Sequence, residues 1–271
     1  MTDAFDRIAS CTRANWKTKA AMSAGLTLFF CVPYFTLQHL PLLPARTLPL
    51  SAIDRAIAFD PRWVWAYQSA YLLLTIVPWM VTARTDLRRY ARGFLLLSSV
   101  GFAFFLLLPV RGPRPDVEAA DVMSRILHWY DRPLNSFPSL HVGLAVYTVL
   151  FAARVSRGRM RTAARWWLVS AAWLWTALVA YAALATKQHY AIDLPAGALL
   201  ASVCHWWTWR HMKRLRPARG GGEPREHLER SMAHAESPMA RPDVSRGPVG
   251  VLLGERDGYA AAGADSGARR R

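Results

Sequence analysis

Apolar residues along this chain fall into six long runs separated by polar segments. The runs cover 20–38, 63–83, 93–110, 139–153, 166–186 and 190–209. An apolar helix of about 20 residues can cross a bilayer, because each residue rises about 1.5 Å and the hydrocarbon core is about 30 Å thick. The pattern therefore predicts an all-α polytopic membrane protein, built as a bundle of six transmembrane helices.

Polar segments at both ends bound the predicted bundle. Residues 1–19 are polar and basic and predict a cytoplasmic N-terminal segment, and 20–210 form the six-helix membrane domain. Residues 211–271 hold glycines, prolines and mixed charge but too few apolar residues for a core, which predicts a disordered cytoplasmic tail. Two shorter helices are predicted in the connections: one at 51–59, at the membrane interface and capped by Ser51, and an amphipathic one at 117–130.

Basic residues indicate which way the bundle crosses the membrane. With six spans, four segments dense in Arg and Lys share one side: the N-terminus, 84–92, 154–165 and the tail. Cytoplasmic loops carry such an excess, so we expect both termini in the cytoplasm and the connections 39–62, 111–138 and 186–190 outside a bacterial inner membrane. Topology thus accounts for the net charge of +16, and we expect no nucleic-acid partner.

His189 and Asp193 are the first candidates for chemistry. They lie four residues apart at the predicted start of the sixth span and so share one helix face. A carboxylate at this spacing can accept a proton from one imidazole nitrogen, which fixes the tautomer and leaves the other nitrogen as a nucleophile or base. The alternative is an accidental polar pair at a helix end, because this spacing alone is a weak signal.

His141, at the start of the fourth span, is the second candidate. Ser139 precedes it at a predicted helix N-terminus, whose free N–H groups attract phosphate, and its hydroxyl would cap the helix, bind phosphate, or do both. Three cations on the same membrane face are predicted phosphate ligands: Arg111, Arg114 and Lys187. Their alternative role is to anchor the helix ends in the headgroup layer.

This residue set favours an anion over a metal ion. Two histidines and one aspartate could bind zinc, but the surrounding cations would repel it. The three cysteines form no CxxC pair: Cys11, Cys31 and Cys204. We therefore predict one phosphate site in which His141 and His189 face each other, with no metal and no cofactor.

Three stretches in this order resemble the three-part signature of the type-2 phosphatidic acid phosphatase superfamily: RGPRP at 111–115, FPSLH at 137–141 and HYAIDLPAG at 189–197. The spelling FPSLH is similar to the inositolphosphotransferase-like membrane branch that contains inositol phosphorylceramide synthases. The resemblance implies a six-helix membrane bundle with a haloperoxidase-like core. It also implies a metal-independent phosphatase or phosphotransferase that acts on a lipid phosphate.

Carried to this chain, the resemblance also implies roles for single residues. His189 would attack phosphorus and form a phosphohistidine, Asp193 would orient it, and His141 would protonate the leaving oxygen. The remaining polar residues of the motifs would bind the phosphate: Arg114, Ser139 and Lys187.

The chain departs from the superfamily pattern at three positions. Leu107 stands where the first motif has lysine, Ala183 where the third has arginine, and Leu140 where the second has glycine. Arg111 and Lys187 are the candidates to replace the missing cations. The alternative function is therefore a catalytically inactive membrane protein that keeps the fold and binds lipid or assists transport.

Overall fold

The computed structural model describes residues 2–39, 42–115, 122, 125 and 131–212, which belong to the first of the two units into which the chain divides, Met1–Pro217. These residues are mainly helical. The α-helices of these residues are α1 (Thr2–Arg13), α2 (Trp16–His39), α3 (Ala52–Ala56), α4 (Val64–Gln68), α5 (Ala70–Trp79), α6 (Arg84–Leu107), α7 (Leu140–Val155), α8 (Thr162–Ala185) and α9 (Asp193–Met212).

Three helices of the described residues are long and apolar enough to cross a membrane: α2, α6 and α8. Helix α7 is apolar but shorter, and the second predicted run is divided into α4 and α5. The helical fold is confirmed, and each predicted run is occupied by helix. Six membrane crossings remain a prediction.

Helix α7 lies at the centre of the bundle, in contact with α5, α6, α8 and α9. Its residues are mostly apolar on all sides, and 11 of the 16 are buried, including all of those from Leu140 to Val149. A helix that is apolar all round is buried on all sides in a folded protein, so the centre is where this sequence pattern is expected. His141 lies in its first turn and is therefore fixed by the core.

Two glycines let α7 and α9 approach closely. A Cβ atom on Gly143 would lie 3.1 Å from the Gly197 carbonyl oxygen, and one on Gly197 would overlap the Ser139 carbonyl oxygen. Small residues permit such close helix contacts. Gly143 lies two residues after the FPSLH motif and Gly197 ends HYAIDLPAG, so this crossing brings the two histidine-bearing motifs together.

Several helices begin at positions other than those predicted. Helix α6 includes the basic segment 84–92, because that segment has no proline or glycine to stop a helix and its Asp86 accepts from Arg89 at 2.8 Å. Helix α2 begins at Trp16, ahead of the predicted residue 20. Ser51 caps α3, as the sequence predicts, and does so in a reciprocal capping box with Asp54, although the helix is shorter than 51–59.

A small parallel ladder joins the connections near the site, which the all-α prediction did not include. Strand β1 (Arg46–Thr47) pairs with β2 (Val110–Arg111), and Val110 also bridges Asn135. The ladder holds the connection before α3 beside the end of α6. The predicted helix at 117–130 falls largely, and the predicted tail at 211–271 almost wholly, outside the described residues.

Candidate active site

The two histidines lie close together at the end of the bundle where α7 and α9 begin. Their ring centroids are 6.4 Å apart, at an interplanar angle of 58°. Both side chains are buried. A tetrahedral phosphoryl group between two rings at this separation can contact a nitrogen of each, because hydrogen-bond distances from nitrogen to oxygen are about 2.9 Å.

His189 is fixed in one tautomer. Its Nδ1 lies 2.8 Å from the carbonyl oxygen of Ser136. A carbonyl oxygen only accepts hydrogen bonds, so Nδ1 carries the proton and donates it. In the neutral ring the lone pair is then on Nε2, which is the form that a nitrogen nucleophile needs.

Asp193 supports His189 less directly than its spacing predicts. Its Oδ2 atom is 3.5 Å from His189 Nδ1, within range of an ion pair but beyond a short hydrogen bond. The same oxygen accepts from the Tyr190 N–H at 2.8 Å and from the Ser136 hydroxyl. Asp193 therefore orders both the loop that carries His189 and the residue whose carbonyl holds the ring.

His141 is held by a residue from another helix. Its Nδ1 is 2.9 Å from the hydroxyl of Tyr67 on α4, and the two rings stack with centroids 4.3 Å apart. Tyr71 adds an edge-on contact at 5.2 Å. His141 Nε2 is buried and has no hydrogen-bond partner among the described residues, so it is available to a ligand.

Arg114 is the motif cation that the structure brings to the His189 loop. Its guanidinium donates to the Asp131 carbonyl oxygen at 2.7 Å and to the Gln188 side chain, next to His189. Its Nε is buried without a partner within the described residues. Two of its nitrogens are thus used for positioning, and one buried donor is left for an anion.

Asp131 connects this arginine to α2. The Asp131 carboxylate accepts from the Tyr34 hydroxyl at 2.9 Å and from Gln38 Nε2 at 2.6 Å. Burial raises the pKa of the Asp131 carboxyl, against the opposing effects of Arg114 and these two hydrogen bonds. The network fixes the backbone whose carbonyl receives Arg114.

The other three predicted phosphate ligands have different surroundings. Ser139 is buried and caps α7, accepting from the Val142 N–H at 3.3 Å, and its hydroxyl proton remains available to a ligand. Lys187 donates to the carbonyl oxygens of Asp54 and Ile57, both at 2.6 Å, and so ties its loop to α3. The side chain of Arg111 is exposed on β2.

A family model described as the PAP2 superfamily matches residues 46–207. That range is more than half of the chain and contains all three motifs. The chain belongs to the PAP2 superfamily. Together with the apolar helices, membership supports a membrane lipid phosphatase.

One solved structure matches in addition, the crystal structure of Aquifex aeolicus LpxE. The TM-score is 0.43 at 16% sequence identity, over 58% of this chain and 91% of that chain. No curated protein matches the chain. Assignment to the PAP2 superfamily therefore rests on the family model, and the inositolphosphotransferase-like branch remains a prediction.

The structure explains one departure from the PAP2 motifs. Ala183 is fully buried and packs in a cluster with Val64 and Tyr67. An arginine here would displace the tyrosine that holds His141. Leu107, by contrast, is 64% exposed at the end of α6, so packing does not explain the loss of lysine there.

Four residues of the site were not predicted from the sequence: Tyr67, Asp131, Ser136 and Gln188. Ser136 directly precedes FPSLH and Gln188 directly precedes HYAIDLPAG, and a polar side chain next to each motif was the available signal. Asp131 had only its acidic character as a signal, and Tyr67, which is 74 residues from His141, had none.

Proposed function

We propose that the protein is a lipid-phosphate phosphatase or phosphotransferase that works through a phosphohistidine at His189. The observation that supports this most strongly is the pair of buried imidazoles, 6.4 Å apart, each with Nδ1 held and Nε2 left for chemistry. In the first step, His189 Nε2 attacks phosphorus and the bond to the leaving oxygen breaks. His141, as imidazolium, gives its Nε2 proton to that oxygen.

In the second step, an acceptor hydroxyl attacks the phosphohistidine. His141 Nε2 now takes the proton of the acceptor, the phosphorus–nitrogen bond breaks, and both histidines return to their starting states. Water as acceptor releases phosphate, and an alcohol gives transfer. The spelling FPSLH, which resembles the inositol phosphorylceramide synthase branch, favours transfer to an alcohol such as inositol.

Tyr67 suits the proton cycle of His141. Its hydroxyl can accept from Nδ1–H in both the imidazolium and the neutral ring, so only Nε2 gains and loses a proton. A bound phosphate supplies the negative charge that stabilises the imidazolium in this buried position. Arg114 Nε and the Ser139 hydroxyl supply further donors to the phosphoryl oxygens, which carry the transition-state charge.

Within the described residues, no three His, Cys, Asp or Glu side chains come together as a metal site. We propose that the cations and N–H donors supply the charge stabilisation, so that the enzyme needs no metal. We further propose that the site faces the outside of a bacterial inner membrane, because the basic segments 84–92 and 154–165 lie at the other end of the bundle.

The first experiment is a substrate screen with purified protein in detergent. Phosphatidic acids, lysolipid phosphates and polyprenyl phosphates are supplied with and without inositol, and both phosphate release and transfer products are measured. We expect turnover of at least one lipid phosphate by the wild type and none by His189→Gln. Wild-type protein that binds these lipids yet turns none over would favour the inactive, lipid-binding alternative.

A further inference from the structure

A cavity of about 390 Å³ lies between α2, α5, α6 and α7 and is partly open, because Thr27, Tyr71 and Thr75 in its lining are exposed. Aromatic and aliphatic side chains line most of it, with a few small polar groups from Ser23, Thr27 and Thr75. The volume is in the range of about 300–1,000 Å³ that is typical of small-molecule sites. An apolar cavity of this size suits a hydrocarbon ligand.

The lining of this cavity adjoins His141 across a narrow space of about 10 Å³. A second, smaller cavity is lined by His141 and Ala70, and it shares its other four lining residues with the large one: Phe30, Tyr71, Leu74 and Leu144. His189 lines neither of them. The apolar lining of the large cavity therefore borders the proposed reaction site on the side of the proton donor.

We propose that this cavity holds the hydrocarbon chain of the leaving group, an inference that rests on the proposed phosphoryl transfer. In an in-line displacement the nucleophile and the leaving oxygen lie on opposite sides of phosphorus. The leaving oxygen is the one that His141 protonates, and in a lipid phosphate it carries the chain. Phosphorus between the two rings then directs the chain past Tyr71 into the cavity.

The dimensions fit one chain. The lining residues on α2 run from Met22 to Phe35, which at 1.5 Å per residue is about 20 Å. One leaflet of the hydrocarbon core is about 15 Å thick. We therefore infer that the substrate places a single chain here, with its phosphate end at Tyr71 and its terminal carbons beside Met22 and Pro78.

Photo-crosslinking tests this placement without turnover. His189→Gln protein is mixed with long-chain alkyl phosphates that carry a diazirine either near the phosphate or near the chain end, and adducts are located by mass spectrometry. The first probe is expected to label Tyr71 or Phe30, and the second Met22 or Pro78. Labels confined to outward residues such as Leu28 would overturn the proposal, and so would labels with no order along the chain.

Variants that fill the cavity provide a second test of the chain placement. Cys31→Phe on α2 and Thr75→Phe on α5 place a ring in the cavity, and overpacking of this kind should weaken chain-end crosslinking about tenfold. The matched controls, Val32→Phe and Leu72→Phe, change exposed neighbours and should have no effect. Equal crosslinking in filled and control variants would contradict the inference.

Turnover separates failure of this inference from failure of the proposed function. In the wild-type background, the filled variants should lower kcat/KM for a long-chain alkyl phosphate about tenfold and leave a four-carbon alkyl phosphate unchanged. Unchanged long-chain turnover would reject the cavity as the chain site while leaving the phosphotransfer intact. Wild-type protein that turns over neither substrate would reject the proposed function, and the crosslinking result would stand by itself.

Discussion

His189 and His141 are both buried with Nδ1 engaged, yet their supports differ in kind. His189 is held by the Ser136 carbonyl, which can only accept and which belongs to the residue just before the FPSLH motif. His141 is held by the Tyr67 hydroxyl, which can donate or accept, from a helix outside every motif. The proposed roles need this difference, because a nucleophile requires one fixed lone pair and an acid–base group must tolerate both protonation states.

The largest effect is expected at His189. His189→Gln removes the attacking nitrogen but keeps a polar side chain of similar size, so kcat/KM should fall by roughly 10⁴-fold or more, as for other catalytic nucleophiles. The loss should be the same for every leaving group. Initial rates of phosphate release measure it, and residual activity within a factor of ten of the wild type would remove His189 as the nucleophile.

His141→Gln should have a smaller effect that depends on the leaving group. A general acid typically contributes about 10²–10⁴-fold. An alkyl phosphate needs that proton, whereas p-nitrophenyl phosphate has a leaving oxygen that departs as an anion. The defect in the phosphorylation step should therefore nearly disappear for p-nitrophenyl phosphate, measured as a pre-steady-state burst. A burst lost equally with both histidine variants would mean that the two rings do not have distinct roles.

Restoring the two missing motif cations should change stability at one position and not at the other. Ala183→Arg buries a charge against Tyr67 and should destabilise the protein by about 3 kcal/mol or abolish folding, because an unpaired buried charge costs about that much. Leu107→Lys alters an exposed position and should leave the melting temperature unchanged. Thermal unfolding in detergent measures both, and a stable, active Ala183→Arg protein would contradict the packing described for Tyr67.

Tyr67→Phe tests the support of His141 directly. Loss of one hydrogen bond to a charged ring costs about 1.5–3 kcal/mol, so kcat should fall by about 10- to 150-fold while KM changes little. The pH profile of kcat should shift with it, because the imidazolium loses its acceptor. Tyr181→Phe, an exposed tyrosine on α8, is the control. An unshifted profile would make Tyr67 a packing residue only.

The smallest effect is expected at Asp54. Its carboxylate accepts a hydrogen bond from the Ala191 N–H at 2.7 Å and so ties the loop that carries His189 to α3. Burial opposes ionisation of Asp54, but hydrogen bonds from Ser51 and Ala191 prevail and lower its pKa. Because the folded-state pKa lies below the unfolded value of about 3.9, the stabilisation is present above that pH and lost as pH falls further. Asp54→Asn should therefore flatten the decline of the melting temperature below about pH 4. An unchanged decline would show that Asp54 contributes nothing to it.

The positions of the helices were largely predictable, because a helix that is buried in lipid or in a protein core needs a long apolar run. The starts of the helices were less predictable. The arginines of 84–92 predict a connection between two spans, yet this segment forms the first turns of α6. His141, His189 and Arg114 could be placed from motif spacing. Tyr67 could not, because its contact depends on the way α4 packs against α8 at Ala183, which no local pattern encodes.

Lys187 shows the complementary limit of sequence reasoning. A lysine two residues from a catalytic histidine predicts a phosphate ligand, but this one has a left-handed backbone, with φ of 53°, and its ammonium group reaches the carbonyl oxygens of Asp54 and Ile57. Its phosphate contact stays a prediction. Which neighbour a flexible cation chooses depends on carbonyl groups that only the folded chain brings near.

Trapping the covalent intermediate tests the central claim most directly. His141→Gln protein is mixed with ³²P-labelled p-nitrophenyl phosphate, which needs no acid for the first step, and is quenched in alkali. Without His141 to activate water, the phosphoenzyme should accumulate toward one label per chain, stable in alkali and labile in acid, on the peptide that contains His189. Label on any other residue, or continued turnover with no label on the protein, would contradict a phosphohistidine at His189.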